Sequence, residues 1–216
     1  MLNLTGSHNP VLCQALVCLQ EKNSVMKAGV NKYNISGGLY QEKRMYSSSK
    51  RLQVHEYDRG EAVRYAHRWA YSRNPRYLDF ENLGGDCTNF ASQSIYAGSG
   101  VMNFTPVYGW YYVNGYNRTA SWTGVGYLYN FLVGNKGVGP FAEVVDAKDV
   151  QPGDIVQLSF LGGGVFNHSP VIVQTGSPPG IDNILVAAHT YDVDYYALTN
   201  YTWVDIRFLH IIGVRK

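Results

Sequence analysis

The segment Gly84-Gly85-Asp86-Cys87-Thr88-Asn89-Phe90-Ala91-Ser92-Gln93 carries the residues best suited to chemistry. A glycine pair and an aspartate precede a cysteine that opens a predicted helix running from Cys87 to about Ala97. The first turn of a helix leaves backbone N–H groups without partners, and its field favours negative charge. A thiol placed there is expected to ionise more easily, and the thiolate is the form that attacks carbonyls. Such a nucleophile needs a base that can take and return a proton near neutrality, and a third group that orients the base.

Six histidines compete for the role of base. His8 and His55 lie in or beside the N-terminal stretch, His67 is expected on a solvated helical face, and His210 lies mid-strand. His168 follows the Gly162-Gly163-Gly164 turn at the start of an apolar strand, and His189 closes the apolar run Ile184–Ala188. If those two strands are neighbours, their histidine ends meet, which makes Cys87, His168 and His189 the catalytic candidates.

Around them stand candidate substrate-binding groups. Asp86 can cap the helix or hold a substrate amine, and the preference of aspartate for N-caps favours the cap. Trp110, Tyr111 and Trp122 can wall a cleft for sugar or peptide, or fill the core; aromatic rings serve both. Asn89, two residues past the cysteine, points away from it and is expected to be structural. Asp182, Asp192 and Asp194 match no calcium-loop pattern. No metal and no cofactor are expected.

The elements that must position these groups are legible in outline. Asp58, with Glu61 three residues on, predicts the start of a helix carrying Ala62, Val63, Ala66, Trp69 and Ala70 at helical spacing. Asn74-Pro75 stops it. Gly98 and Gly100 end the cysteine helix. Ser121 predicts the cap of a third helix bearing Trp122, Val125, Leu128, Phe131 and Leu132. The period then shortens to that of strands at Ile155–Phe160, Val171–Gln174, Ile184–Ala188 and Ile206–Val214. Helices followed by strands predict an α+β domain with an antiparallel sheet over residues 55–216. Residues 1–54, with a possible short helix at Pro10–Gln20, are expected to be an extension or linker with little structure.

Composition narrows the function. A formal charge of +2 does not point to nucleic acid. Cys13, Cys18 and Cys87 are too few for a disulfide scaffold and form no zinc pattern. No apolar run is long enough to span a bilayer. Val11–Leu19 lacks the basic flank and cleavage site of a signal peptide, so the compartment stays open. A monomer is expected.

The pattern Tyr57-Asp58-Arg59, Ala62-Val63, Tyr65-Ala66, Asn74-Pro75 and Gly84 to Gln93 resembles the bacterial putative amidase domain of the papain-like superfamily. Gly109 to Tyr112, Ser121-Trp122, Gly153-Asp154-Ile155, His168-Ser169 and His189-Thr190-Tyr191-Asp192 continue the likeness over about residues 55–214. Asp-Cys before a small hydroxyl residue is also similar to the nucleophile motif of cell-wall peptidases related to CHAP domains. The resemblance implies a helix-borne cysteine packed on an antiparallel sheet, a strand histidine as base and a polar third residue on the next strand. It implies a cysteine-dependent amidase or peptidase acting through a thioester, with a peptide or amide substrate of the peptidoglycan type and a place in the cell envelope. On that pattern Cys87 attacks, His168 moves the proton and His189 holds the ring of His168. Two alternatives remain: a non-catalytic wall- or glycan-binding module on the same scaffold, and transfer of the acyl group to an amine.

Overall fold

The computed structural model describes residues 51–216. The helix expected at Pro10–Gln20 and most of the expected extension lie outside the described residues. Val54–His55 (β1) already pairs with the last strand, and Gln53 and Lys216 exchange backbone hydrogen bonds.

The first helix among the described residues, Arg59–Trp69 (α1), is capped as anticipated: the Asp58 carboxylate accepts the Glu61 N–H at 2.8 Å. The cysteine helix runs Cys87–Ser99 (α2) and ends on Gly100, whose φ of 66° is left-handed and suits a residue without a Cβ. The third expected helix is two, Ala120–Thr123 (α3) and Val125–Gly134 (α4). Gly124 between them is extended (φ −114°, ψ 128°), so the ladder stops and restarts. Tyr112–Asn114 (β2) and Asn117–Arg118 (β3) form a small hairpin within the tyrosine-rich stretch.

The main sheet holds β1 and six further strands: Gly139–Val145 (β4), Ile155–Ser159 (β5), Val171–Gln174 (β6), Leu185–Ala188 (β7), Val193–Ala197 (β8) and Asp205–Arg215 (β9). Its order is β1-β9-β5-β6-β7-β8, with β4 also on β9, and every pairing is antiparallel. The α+β class and antiparallel sheet expected from the sequence are what the chain forms. Strands β4 and β8 had no clear sequence signal. β4 follows directly on the glycines that end α4 and contains Pro140, and β8 (Val-Asp-Tyr-Tyr-Ala) is only partly buried.

Alternation divides the sheet into two faces. Ile155, Val171, Val173, Ala187, Leu209 and Ile211 pack under the helices with Phe90, Ile95, Trp110 and Trp122. Val156, Leu158, Ile172, Val186 and Phe208 face the other way, beneath Leu198, Tyr201 and Trp203.

Candidate active site

Helix α2 is buried nearly all round, although much of it is polar. Each polar group is paired, as burial requires. Trp110 Nε1 donates to Ser92 at 3.0 Å, Trp122 Nε1 donates to Asn89 at 2.9 Å, and Tyr65 Oη donates to Gln93. Asn89 in turn donates to Asp86 (2.8 Å) and to the Leu78 carbonyl, the structural role expected of it. These bonds fix the rotation of the helix and therefore the direction of its first side chain.

That first side chain, Cys87, is 6% exposed. Its sulfur lies 3.8 Å from Thr88 Oγ1 and 4.0 Å from the Asn167 carbonyl oxygen. The backbone N–H groups of Ser169 and Thr88 also point to it. Burial outweighs these donors and pushes the thiol up to about 11, while the neighbouring Asp86 adds to the rise. The easier ionisation expected of a helix N-terminus is thus not what the closed site provides: desolvation dominates the field of the helix.

His168 is the residue whose two peptide groups, the carbonyl of 167 and the N–H of 169, flank that sulfur. It pairs with Leu158 across the strands, with N–H and C=O both bonded, so its side chain leaves on the Leu158 face. There the ring meets Phe160 and Tyr201, and Nε2 lies 3.3 Å from Tyr201 Oη. Nδ1 is buried and has no hydrogen-bond partner. Burial holds the imidazole neutral, its pKa lowered to about 3. Among the described residues no hydrogen bond joins the sulfur to either candidate imidazole.

His189 sits elsewhere. Its Nδ1 is 2.5 Å from Asp86 Oδ2, its Nε2 donates to the Trp69 carbonyl at 2.8 Å, and its ring stacks on Phe90 at 4.1 Å. Both ring nitrogens are engaged, and the bond expected between His168 and His189 is not made. Asp86 is wholly enclosed. Its Oδ1 accepts Phe80 N–H and Asn89 Nδ2, and its own N–H donates to Thr190 Oγ1. It makes no side-chain cap to α2 and offers no free oxygen to a substrate. Arg73 lies beside this unit, paired with Asp192 at 2.8 Å.

Of the aromatic candidates, Trp110 and Trp122 are fully buried and meet in a tilted contact, 4.9 Å between ring centres, as core, while Tyr111 is half-buried against Phe104. Asp194 pairs with His67 at 2.8 Å rather than with a candidate base. Among the described residues no group of three or more metal-ligating side chains occurs. No helix there is long and apolar enough to cross a membrane.

Two features escaped the sequence reading. One is Tyr201, which lies outside every predicted element. The other is a polar chain from the site into the sheet. Thr88 Oγ1 donates to Ser169 Oγ, Gln157 Nε2 donates to the same oxygen, and Arg207 donates to Gln157 Oε1. Arg207 lies between the rings of Tyr129 and Phe166. The available signal was Gln157, an amide in phase with Ile155 on the helix-facing side of an apolar strand.

The shifts at His168 and Cys87 make a stability prediction. In the unfolded chain His168 takes up a proton below its ordinary 6.5, but in the folded protein not until about 3. Stability should therefore fall as pH drops through that window, by up to about 1.4 kcal/mol per pH unit. Unfolded Cys87 ionises near 9.0 and folded Cys87 near 11, so stability should also fall as pH rises between them. Urea unfolding at a series of pH values should show both arms, and Cys87→Ala should flatten the alkaline one.

The model of the family described as Putative amidase domain matches residues 56–212. The chain is 33% identical over 166 residues to the uncharacterized protein YhbB of Bacillus subtilis (strain 168), an alignment covering 73% of this chain and 51% of YhbB. The chain thus spans about half the length of that curated relative. No solved structure matches it.

Proposed function

The chain belongs to the putative amidase domain family, and on that premise we propose that it is a cysteine-dependent amide hydrolase with Cys87 as nucleophile and His168 as base. One observation carries the reading: the peptide groups on either side of His168 face the Cys87 sulfur, while the imidazole of that residue is neutral with a bare, unpartnered nitrogen. A neutral imidazole is the form that can accept a proton.

The reaction then starts from a thiol and a neutral ring rather than from a ready ion pair. His168 takes the thiol proton as sulfur attacks the carbonyl carbon. The carbon–nitrogen bond breaks, the amine leaves with the proton from His168, and the acyl group stays on Cys87 as a thioester. Water, losing a proton to His168, attacks the thioester and frees the acid and the thiol. The Cys87 N–H, in the first turn of α2, is the donor we assign to the oxyanion, and a donor of this kind lowers the barrier by about 3 kcal/mol. In this reading His189 and Asp86 hold the start of α2 in place and do not touch the substrate. The resemblance to wall peptidases makes peptidoglycan-type amides the first substrates to try.

The low exposure of Cys87 favours one other reading, a non-catalytic binding module. Incubation of the full chain with muropeptides and simple peptide amides separates the two. We expect new amine and carboxyl termini by mass spectrometry, with the rate lowered roughly 10²- to 10⁴-fold in His168→Ala and the circular dichroism unchanged. Intact substrates across the panel with the wild-type chain would leave only the binding module.

A further inference from the structure

We propose that Tyr201 is a positioning residue: its hydroxyl oxygen accepts the Nε2–H of His168 and keeps the Nδ1 lone pair of that ring free for the Cys87 proton. The inference rests on the reading of Cys87 and His168 as nucleophile and base, and supplies the orienting group that His189, bound to Asp86 and Trp69, does not.

The contact of 3.3 Å between Nε2 and Oη can carry a proton in either direction. If Tyr201 donated, the ring proton would sit on Nδ1, where it would be a buried N–H with no acceptor. Orphaned buried donors are the rarer defect, because the full cost of desolvation stays uncompensated. If Tyr201 accepts, Nδ1 is a bare acceptor on the very residue whose backbone flanks the thiol, and the O–H of Tyr201, a residue only part-buried, is free to turn towards solvent. A contact at the long end of the hydrogen-bond range is common at catalytic groups before substrate binds.

The surroundings restrict both rings. His168 lies 6.0 Å from Phe160 and 5.3 Å from Tyr201, ring centre to ring centre, and Tyr196 meets Tyr201 edge-on at 5.1 Å. Tyr201 follows the short turn Leu198–Asn200, where Leu198 N–H is bonded to the Ile184 carbonyl and Tyr201 N–H to the Leu198 carbonyl. The oxygen is thus tethered to the sheet that carries His168. Once His168 holds two protons, Nε2–H still has its acceptor, and Nδ1–H is the proton left to give to the leaving amine.

Long-range proton–nitrogen spectra of the full chain, with ring-labelled histidine, read the tautomer directly without any substrate. His168→Gln assigns the signal. The wild-type ring should carry its proton on Nε2. Tyr201→Phe, which keeps the packing, should shift it towards a mixture of tautomers and lower kcat roughly 10- to 100-fold with KM within about twofold. A wild-type proton on Nδ1, or a Phe variant with the same tautomer and kcat within about twofold, overturns the proposal. If the tautomer responds to Tyr201→Phe while the wild-type chain hydrolyses no amide, the placement of the ring stands and the hydrolase reading alone falls.

Discussion

Cys87→Ala is expected to abolish amide hydrolysis, with a loss in kcat of at least about 10⁴-fold, the scale seen when a covalent nucleophile is removed from its catalytic unit. The size follows from the mechanism. Without sulfur there is no thioester, and the imidazole of His168 has no thiol proton to take. What remains is whatever binding and the first-turn N–H groups of the helix can do for direct attack by water. The fold should survive, because the side chain is small and the rotation of α2 is fixed by Ser92, Asn89 and Gln93 rather than by Cys87. Cys87→Ser is a sharper version of the same test. It keeps the volume and a proton for His168, yet serine is far less acidic and should remain nearly inactive. Hydrolysis by Cys87→Ala at more than a tenth of the wild-type rate would remove the nucleophile from this account.

The second large effect concerns stability. Asp86→Ala is expected to destabilise the protein by about 3–5 kcal/mol, the cost of leaving one member of a buried charge-bearing pair without its partner. Three groups would lose their partner together: Phe80 N–H, Asn89 Nδ2 and Nδ1 of His189. Since the Trp69 carbonyl can only accept, His189 must carry its own proton on Nε2. One further proton is shared between Nδ1 and Oδ2, and removal of the carboxylate leaves Nδ1 without a partner in a buried site. The urea midpoint should drop with little change in slope. His189→Phe, which preserves the stack on Phe90, should cost less than Asp86→Ala because the carboxylate keeps its other two partners. A loss below about 1 kcal/mol for Asp86→Ala would mean that the pair is solvated and the helix start is held by other contacts.

Sequence and structure agree where a local signal is sufficient. The Asp58 cap, the start of α2 at Cys87, the left-handed stop at Gly100 and strand β6 all follow from residue types a few positions apart. Strands β4 and β8 do not, because pairing with β9 or β7 decides them and the local pattern is mixed; nor does the break at Gly124, set inside one continuous apolar helical pattern. The same division holds at the site. Cys87 and His168 stand out from their flanking residues. The partner of His189 does not, since Asp86 lies 103 positions away and only the packing of α2 on β7 brings them together. Trp110 and Trp122 are as suited to a cleft as to a core, and it is the acceptors on Ser92 and Asn89 that seat them inside. The thiol shows a limit of another kind. Its place at a helix N-terminus is written in the sequence, but the depth of burial that reverses the expected shift is a property of the assembled fold.

Covalent capture tests the central claim most directly. The 216-residue chain is mixed with an amide that it hydrolyses, quenched in acid within the first turnovers, digested and analysed by mass spectrometry. The account predicts the acyl group on the peptide containing Cys87, absent when Cys87 has first been alkylated. An acyl group on any other residue, or steady turnover by the alkylated protein, would contradict it.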